Sequence, residues 1–335
     1  MRLLAPAKIN LHLRVGKRRD DGFHPLLTWM CTVGLFDTLT IDARAAGGGT
    51  PAVEFDCNRP DLPRDEGNLV VRVATAFAAE LRGGGAPNLP TRRRPATPVG
   101  EGGGEASSPG KSRGRATPVR ISLTKQVPVG AGLGGGSSDA ARTLVGLDRL
   151  WHAGRTADQL SGFAARFGSD VPFFVAAALG APSAVCTGRG EVVRPVARPS
   201  PKWALLVLPP FGLATREVYP RFDELGLGSD RDVADEPDWD AWAALPAAEL
   251  LPRLVNDLEP AAFSTGPPAL AALRADVERT VGRPVRMSGS GSSLFTLFDA
   301  AETDRAREAA RAVGQELGVG AGVVELCPDV PDDLE

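Results

Sequence analysis

The stretch best equipped for chemistry runs from Pro128 to Ser138, Pro-Val-Gly-Ala-Gly-Leu-Gly-Gly-Gly-Ser-Ser, with five glycines among the seven residues Gly130 to Gly136. Glycine lacks the side chain that would hold a ligand away from backbone N–H groups. A β-branched run, Val119 to Thr124, leads in, and a helix-forming sequence, Ala140 to Leu150, leads out. A glycine-rich turn feeding a helix N-terminus presents unpaired donors and the positive end of the helix dipole, so it cradles an anion. The expected anion is a nucleotide phosphate. Ser137, Ser138 and Asp139 suit the N-cap of that helix. Gly130, Gly132 and Gly135 also match the spacing of a dinucleotide fingerprint. That fingerprint needs a first-strand context and a free acidic residue downstream, and Asp158 already belongs to the next helical pattern.

Asp170 lies in Gly168-Ser-Asp-Val-Pro-Phe-Phe174, directly before an apolar run, where a lone Asp reads as a helix N-cap. Lys8 and Asn10 open an alternating segment that follows Ala5-Pro6-Ala7. Ile9, Leu11, Leu13 and Val15 share one face and Lys8, Asn10, His12 and Arg14 the other, the pattern of a half-buried strand. Phe23 and His24 follow a charged turn and, by themselves, read as turn packing. Ser288-Gly-Ser-Gly-Ser-Ser293 is a second glycine turn. Gly289 and Gly291 make it either a tight hairpin or an element closing the phosphate pocket.

Pro6-Ala-Lys-Ile-Asn10, Pro128 to Ser138 and Ser288 to Ser293, in this order, resemble the GHMP kinase superfamily of ATP-dependent small-molecule kinases. Arg18-Arg-Asp-Asp-Gly-Phe-His24, Gly168-Ser-Asp-Val-Pro-Phe173 and Asn256-Asp-Leu-Glu259 narrow the resemblance. They are similar to the branch that phosphorylates the 2-hydroxyl of a cytidine-diphosphate-linked sugar alcohol in non-mevalonate (MEP) isoprenoid biosynthesis. The resemblance implies an α+β, two-domain GHMP kinase fold. Its N-terminal ribosomal-protein-S5-domain-2-like domain would span 1–165, and its C-terminal ferredoxin-like domain 166–328. It implies ATP and Mg2+. Pro128, Gly130, Gly132, Leu133, Gly134, Gly135, Gly136, Ser137 and Ser138 would wrap the ATP phosphates, with Ser138 or Ser137 near the metal. Asp170 would be the catalytic carboxylate and Lys8 its cationic partner. Asn10, Phe23 and His24 would line the substrate site, the imidazole and neighbouring backbone reading the cytosine edge and Phe23 supplying the ring that stacks on the base. Val185 stands where members often place a second aromatic, and Gly289 and Gly291 would close the phosphate pocket.

The physics of phosphoryl transfer agrees with such a set, because the reaction needs mainly positioning and charge neutralisation. A carboxylate near the acceptor hydroxyl takes its proton, and an ammonium stabilises the spreading phosphoryl charge. A homoserine, mevalonate or sugar kinase is the rival activity. A catalytically silent nucleotide-binding regulator is the rival from another class, and it predicts loss of Lys8 or Asp170; both are present.

The elements that must position these groups are legible as patterns. Thr28 to Asp42 reads as one or two strands, Asn68 to Arg82 as a helix, and Thr156 to Phe167 as another. Ala184 to Val193 reads as a hairpin and Trp203 to Leu208 as a buried strand. From there on, helices at Ala269–Val281 and Glu302–Leu317 alternate with strands at Pro284–Met287, Leu294–Phe298 and Ala321–Leu326, a ferredoxin-like order. Gly83 to Pro118, rich in glycine, proline and arginine, reads as a disordered insertion. With 335 residues the chain has room for about two domains. A net charge of −3 gives no electrostatic case for nucleic acid or an anionic membrane. Four scattered cysteines without C-x-x-C fit a reduced, cytoplasmic setting. The expected protein is a cytoplasmic monomer or weak homodimer.

Overall fold

The computed structural model describes residues 1–45, 52–83, 116–265 and 269–331. Two long strands, β1 (Arg2–Val15) and β2 (Leu26–Ala43), pair antiparallel and form the spine of the first sheet. β3 (Val53–Cys57), β4 (Val119–Thr124), β5 (Ser183–Thr187) and β6 (Val192–Pro195) extend it in the order β3-β4-β2-β5-β6, with β1 also on β2. The segment expected as one or two strands is a single strand whose two halves pair with different partners, β5 near its start and β4 near its end. Four helices pack beside this sheet: α1 (Leu69–Leu81), α2 (Gly135–Leu150), α3 (Ala157–Ala164) and α4 (Val171–Ala178). Their buried residues, among them Phe77, Leu144, Phe163 and Phe174, share one core with Leu39, Ile41 and Ile121.

The second sheet contains β7 (Trp203–Leu208), β8 (Arg286–Met287), β9 (Leu294–Phe298) and β10 (Gly320–Glu325) in the order β10-β7-β9-β8. All its pairings are antiparallel. Between β7 and β8 come α5 (Thr215–Glu224), α6 (Asp230–Ala234), α7 (Trp239–Ala243), α8 (Ala247–Leu250), α9 (Glu259–Thr265) and α10 (Ala269–Val281). Helix α11 (Thr303–Leu317) joins β9 to β10. Numbered along the chain, these strands take the order 4-1-3-2 of a ferredoxin-like unit. A core containing Ile9, Leu11, Trp29, Leu206 and Phe295 lies between the two sheets.

Three expectations change. The change of sheet falls between Pro195 and Trp203 rather than at 165, because α4, β5 and β6 pack with the first sheet. β1 is buried on both faces: Ile9 and Leu11 join the core between the sheets, while Lys8 and Asn10 lie against the glycine loop and the second glycine turn. A register shift between Asn10 and His12 turns His12 against Trp239 and Trp242. Helix α2 starts inside the glycines: Gly134, at φ 70°, is its N-cap, and no side chain caps it. The expected insertion, 83–118, lies outside the described residues except at Gly83 and at Ala116 to Pro118. Among the described residues no helix is long and apolar enough to cross a membrane.

Candidate active site

The first N–H groups of α2 lack acceptors inside the helix, and its axis points their partial positive charge outward. Two close approaches hold the loop in place. Gly132 has φ +77°, and a Cβ there would lie 2.3 Å from the Ser288 carbonyl oxygen. Gly134 would place a Cβ 2.9 Å from Phe174 and 3.1 Å from Lys8 Cγ. Only glycine fits either position. The loop is further tied to β1 by Lys8 N–H donating to Leu133 O at 2.9 Å. Ser293 N–H, from the second glycine turn, donates to Ala131 O at 3.2 Å.

That tie brings Lys8 beside the loop. Its Nζ is buried, donates to Asn10 Oδ1, and lies 3.7 Å from Asp170 Oδ2. Asp170 stands at the N-cap position of α4, yet its side chain makes no capping hydrogen bond. The carboxylate, about one-third exposed, faces Lys8 instead. A separation of 3.7 Å is an ion pair rather than a tight hydrogen bond. Asn10 Nδ2 donates to Thr28 Oγ1 at 2.9 Å, which fixes the amide that orients Lys8.

Both groups line a cleft of about 440 Å3 together with Pro128, Gly130, Gly132, Leu133, Gly134, Gly135, Gly136 and Ser137. Asn10, Gly190, Thr215, Tyr219 and Gly289 complete one side, and Leu62, Pro63, Asn68 and Leu69 form an apolar-walled wing on the other. Several sequence-derived residues do not line the cleft. Ser138 is fully buried. Gly291 packs against Met287 and Leu213. Val185 is buried in the core between the sheets, because strand alternation and pairing with Trp29 turn it inward. It offers no face to a base. His24 is buried, and both its ring nitrogens face protein oxygens: Nδ1 the Gly16 carbonyl at 2.9 Å, Nε2 Asp223 Oδ1 at 3.2 Å. Neither is left to read a base edge. Phe23 lies beneath the Arg189 guanidinium at 4.7 Å.

The structure adds residues that sequence reasoning missed. Tyr219, the one tyrosine of the chain, packs on His24 with ring centroids 5.1 Å apart. Burial, then the Asp170 charge, push its phenol up, so it remains a donor at neutral pH. Lys125, Asp37 and Asp139 form a buried ion cluster under the loop: Lys125 Nζ bonds Asp37 Oδ2 and, at 2.8 Å, Asp139 Oδ2. Asp37 Oδ1 also accepts from Val127 N–H at 2.9 Å, fixing the strap that enters the glycines. Burial pushes the Asp139 carboxyl up to about 7 despite Lys125, and its Oδ1 has no partner among the described residues. The available signal was slight: a lysine between strand and loop, and a tyrosine without neighbours of its kind.

GHMP kinase families match residues 105–178 (N terminal domain) and 241–318 (C terminal). A 4-diphosphocytidyl-2-C-methyl-D-erythritol kinase of Shouchella clausii is 34% identical over 295 residues, covering 88% of this chain and 84% of the relative. One of Rhodococcus jostii is 37% identical, over 95% of this chain and 88% of the relative. The chain belongs to the 4-diphosphocytidyl-2-C-methyl-D-erythritol kinase family. A crystal structure titled 4-(cytidine 5'-diphospho)-2C-methyl-D-erythritol kinase superposes with a TM-score of 0.68 at 33% identity, covering 97% of this chain and 99% of that one. As a GHMP kinase of this family, the protein is an ATP-dependent phosphotransferase built on two α/β units.

Proposed function

We propose that the protein transfers the γ-phosphoryl group of ATP to the 2-hydroxyl of 4-diphosphocytidyl-2-C-methyl-D-erythritol, releasing ADP and the 2-phosphate. The observation that carries this reading is the Lys8–Asp170 pair, 3.7 Å apart, at the edge of the glycine nest. Asp170 accepts the hydroxyl proton as the oxygen–phosphorus bond forms, and the bond to the ADP oxygen breaks. Lys8, oriented by Asn10, stabilises the negative charge that spreads over the equatorial oxygens. The N–H groups at the start of α2 take the phosphates, and the wing formed by Leu62, Pro63 and Leu69 suits a flat nucleobase.

Mg2+ prefers hard oxygen donors and usually takes one or two from the protein, the rest from phosphate and water. The start of α2 has such donors on the cleft: the Ser137 hydroxyl and Asp139, whose Oδ1 lacks a partner among the described residues; Ser138 is turned away from the cleft. When bound, the metal would neutralise phosphate charge. For the acceptor, Asn10 and Tyr219 line the cleft beside Asp170, and Phe23, beneath the Arg189 guanidinium, supplies the aromatic ring for the base. The same reading carries a cytoplasmic enzyme of non-mevalonate isoprenoid synthesis, a monomer or weak homodimer. The test is ATP consumption with the cytidine substrate beside homoserine and mevalonate. Turnover with the cytidine substrate alone is expected; preferred turnover of another acceptor would overturn the assignment.

A further inference from the structure

Asn256-Asp-Leu-Glu259 is a motif to which the phosphoryl-transfer scheme gives no task, and it brackets the second glycine turn. Asn256 is buried and engages its amide fully. Nδ2 donates to Met287 O and Gly289 O, each at 2.8 Å, and Oδ1 accepts from Leu258 N–H at 2.9 Å. Glu259 Oε1 accepts from Met287 N–H at 2.9 Å, and its other oxygen pairs with Arg274. The residues on either side of Ser288 are thus held. Ser288 Oγ, in turn, donates to Gly132 O at 3.1 Å and accepts from Asn10 N–H at 3.2 Å. The Gly289 backbone sits against the Lys8–Asn10 bond: a Cβ on it would lie 3.1 Å from Asn10 Oδ1 and 3.4 Å from Lys8 Nζ. Asp257 works elsewhere, accepting from Arg14 Nη1 and Val15 N–H at 3.0 Å, at the far end of β1.

We propose that Asn256 is a positioning residue for phosphoryl transfer: by holding the Met287 and Gly289 carbonyls it sets where the turn meets Lys8, Asn10 and the glycine nest. This rests on the proposed function for its kinetic readout. The site requires a group with two protons for two carbonyls and an acceptor at its other atom, which an amide alone supplies at this size. Asn256→Asp keeps the shape but aims an oxygen at both carbonyls, and Asn256→Ala removes the grip without repulsion. Ser288→Ala loosens the same turn from the side of the nest.

The experiment compares these variants with Asp257→Asn in the full chain, at a temperature where circular dichroism shows each folded. Displacing the turn by roughly 1 Å should lower kcat about 100-fold. KM for the acceptor should stay within about threefold, the scatter of independent sites. Affinity for a nonhydrolysable ATP analogue should weaken about tenfold with the lost hydrogen bonds. Asp257→Asn should lower the Tm without the kcat loss. The Asn256→Ala/Ser288→Ala double variant should lose no more than the worse single, since both act through one turn. A folded Asn256→Ala with wild-type kcat and analogue affinity, lowered only in Tm, would overturn the proposal, as would losses that multiply in the double variant. Analogue binding needs no acceptor, so a wrong acceptor assignment would leave that readout intact. If Asn256→Asp does not fold, Asn256→Ala and Ser288→Ala decide.

Discussion

Replacing Gly132 by alanine separates the cost of backbone strain from the cost of a displaced turn. At φ +77° an alanine is strained by about 1–2 kcal/mol before it touches anything. Its Cβ would also meet the Ser288 carbonyl oxygen at 2.3 Å, where ordinary contact begins at 3.4 Å, so the two glycine turns must part by 1.1 Å (3.4 − 2.3). A shift of that size between the nest and the turn against Lys8 should reduce kcat/KM about 100-fold. Gly154→Ala is the matched control: φ is +63°, nothing lies within 4 Å of the added Cβ, and the residue is remote from the cleft. In urea denaturation Gly154→Ala should lose only the strain energy and Gly132→Ala more, by the cost of the clash, and only Gly132→Ala should lose activity in a coupled ADP-release assay. Equal activities in the two folded variants would refute the interlock between the glycine turns.

Lys8→Met keeps the side-chain length and removes the charge; kcat should fall about 100- to 1000-fold while nonhydrolysable-analogue binding, followed by calorimetry, changes little. Phe23→Ala should raise KM for the cytidine substrate about tenfold, the worth of one base–aromatic stack, and leave KM for ATP unchanged in initial-rate assays. His12 is held near pKa 3 by burial and then by Arg14, against 6.5 when unfolded, so only the unfolded chain takes its proton between those values. The stability this neutral ring contributes is therefore complete above about pH 6.5 and drains away as pH falls, by about 2 kcal/mol at pH 5. Urea titrations of wild type and His12→Phe should diverge by that amount over this range, and parallel profiles would count against it.

The groups legible in the sequence were those whose role is written locally. The Pro128–Ser138 nest depends on consecutive glycines entering one helix, and the Gly168–Phe174 segment carries its own turn. The ferredoxin-like order from β7 to β10 followed from alternating periodicities. Orientation within pairings was out of reach. Val185 turns inward because β5 pairs with β2 opposite Trp29, a register no local pattern encodes. His24 is engaged by Asp223 from a helix about two hundred residues away. The Lys125–Asp37–Asp139 cluster likewise joins three separate elements, and its members look like ordinary charged residues until the chain folds. The start of α2 was misjudged by propensity alone: Gly134 can adopt the left-handed cap, so the helix begins before the serines.

The Lys8–Asp170 ion pair beside the phosphate nest is the central claim, and a single-turnover measurement on Asp170→Asn tests it most directly. With enzyme in excess over γ-labelled ATP and the cytidine substrate present, the rate of label transfer should fall about 100- to 10,000-fold, while affinity for the nonhydrolysable analogue stays that of wild type. Label transfer at the wild-type rate in the folded variant would contradict the account.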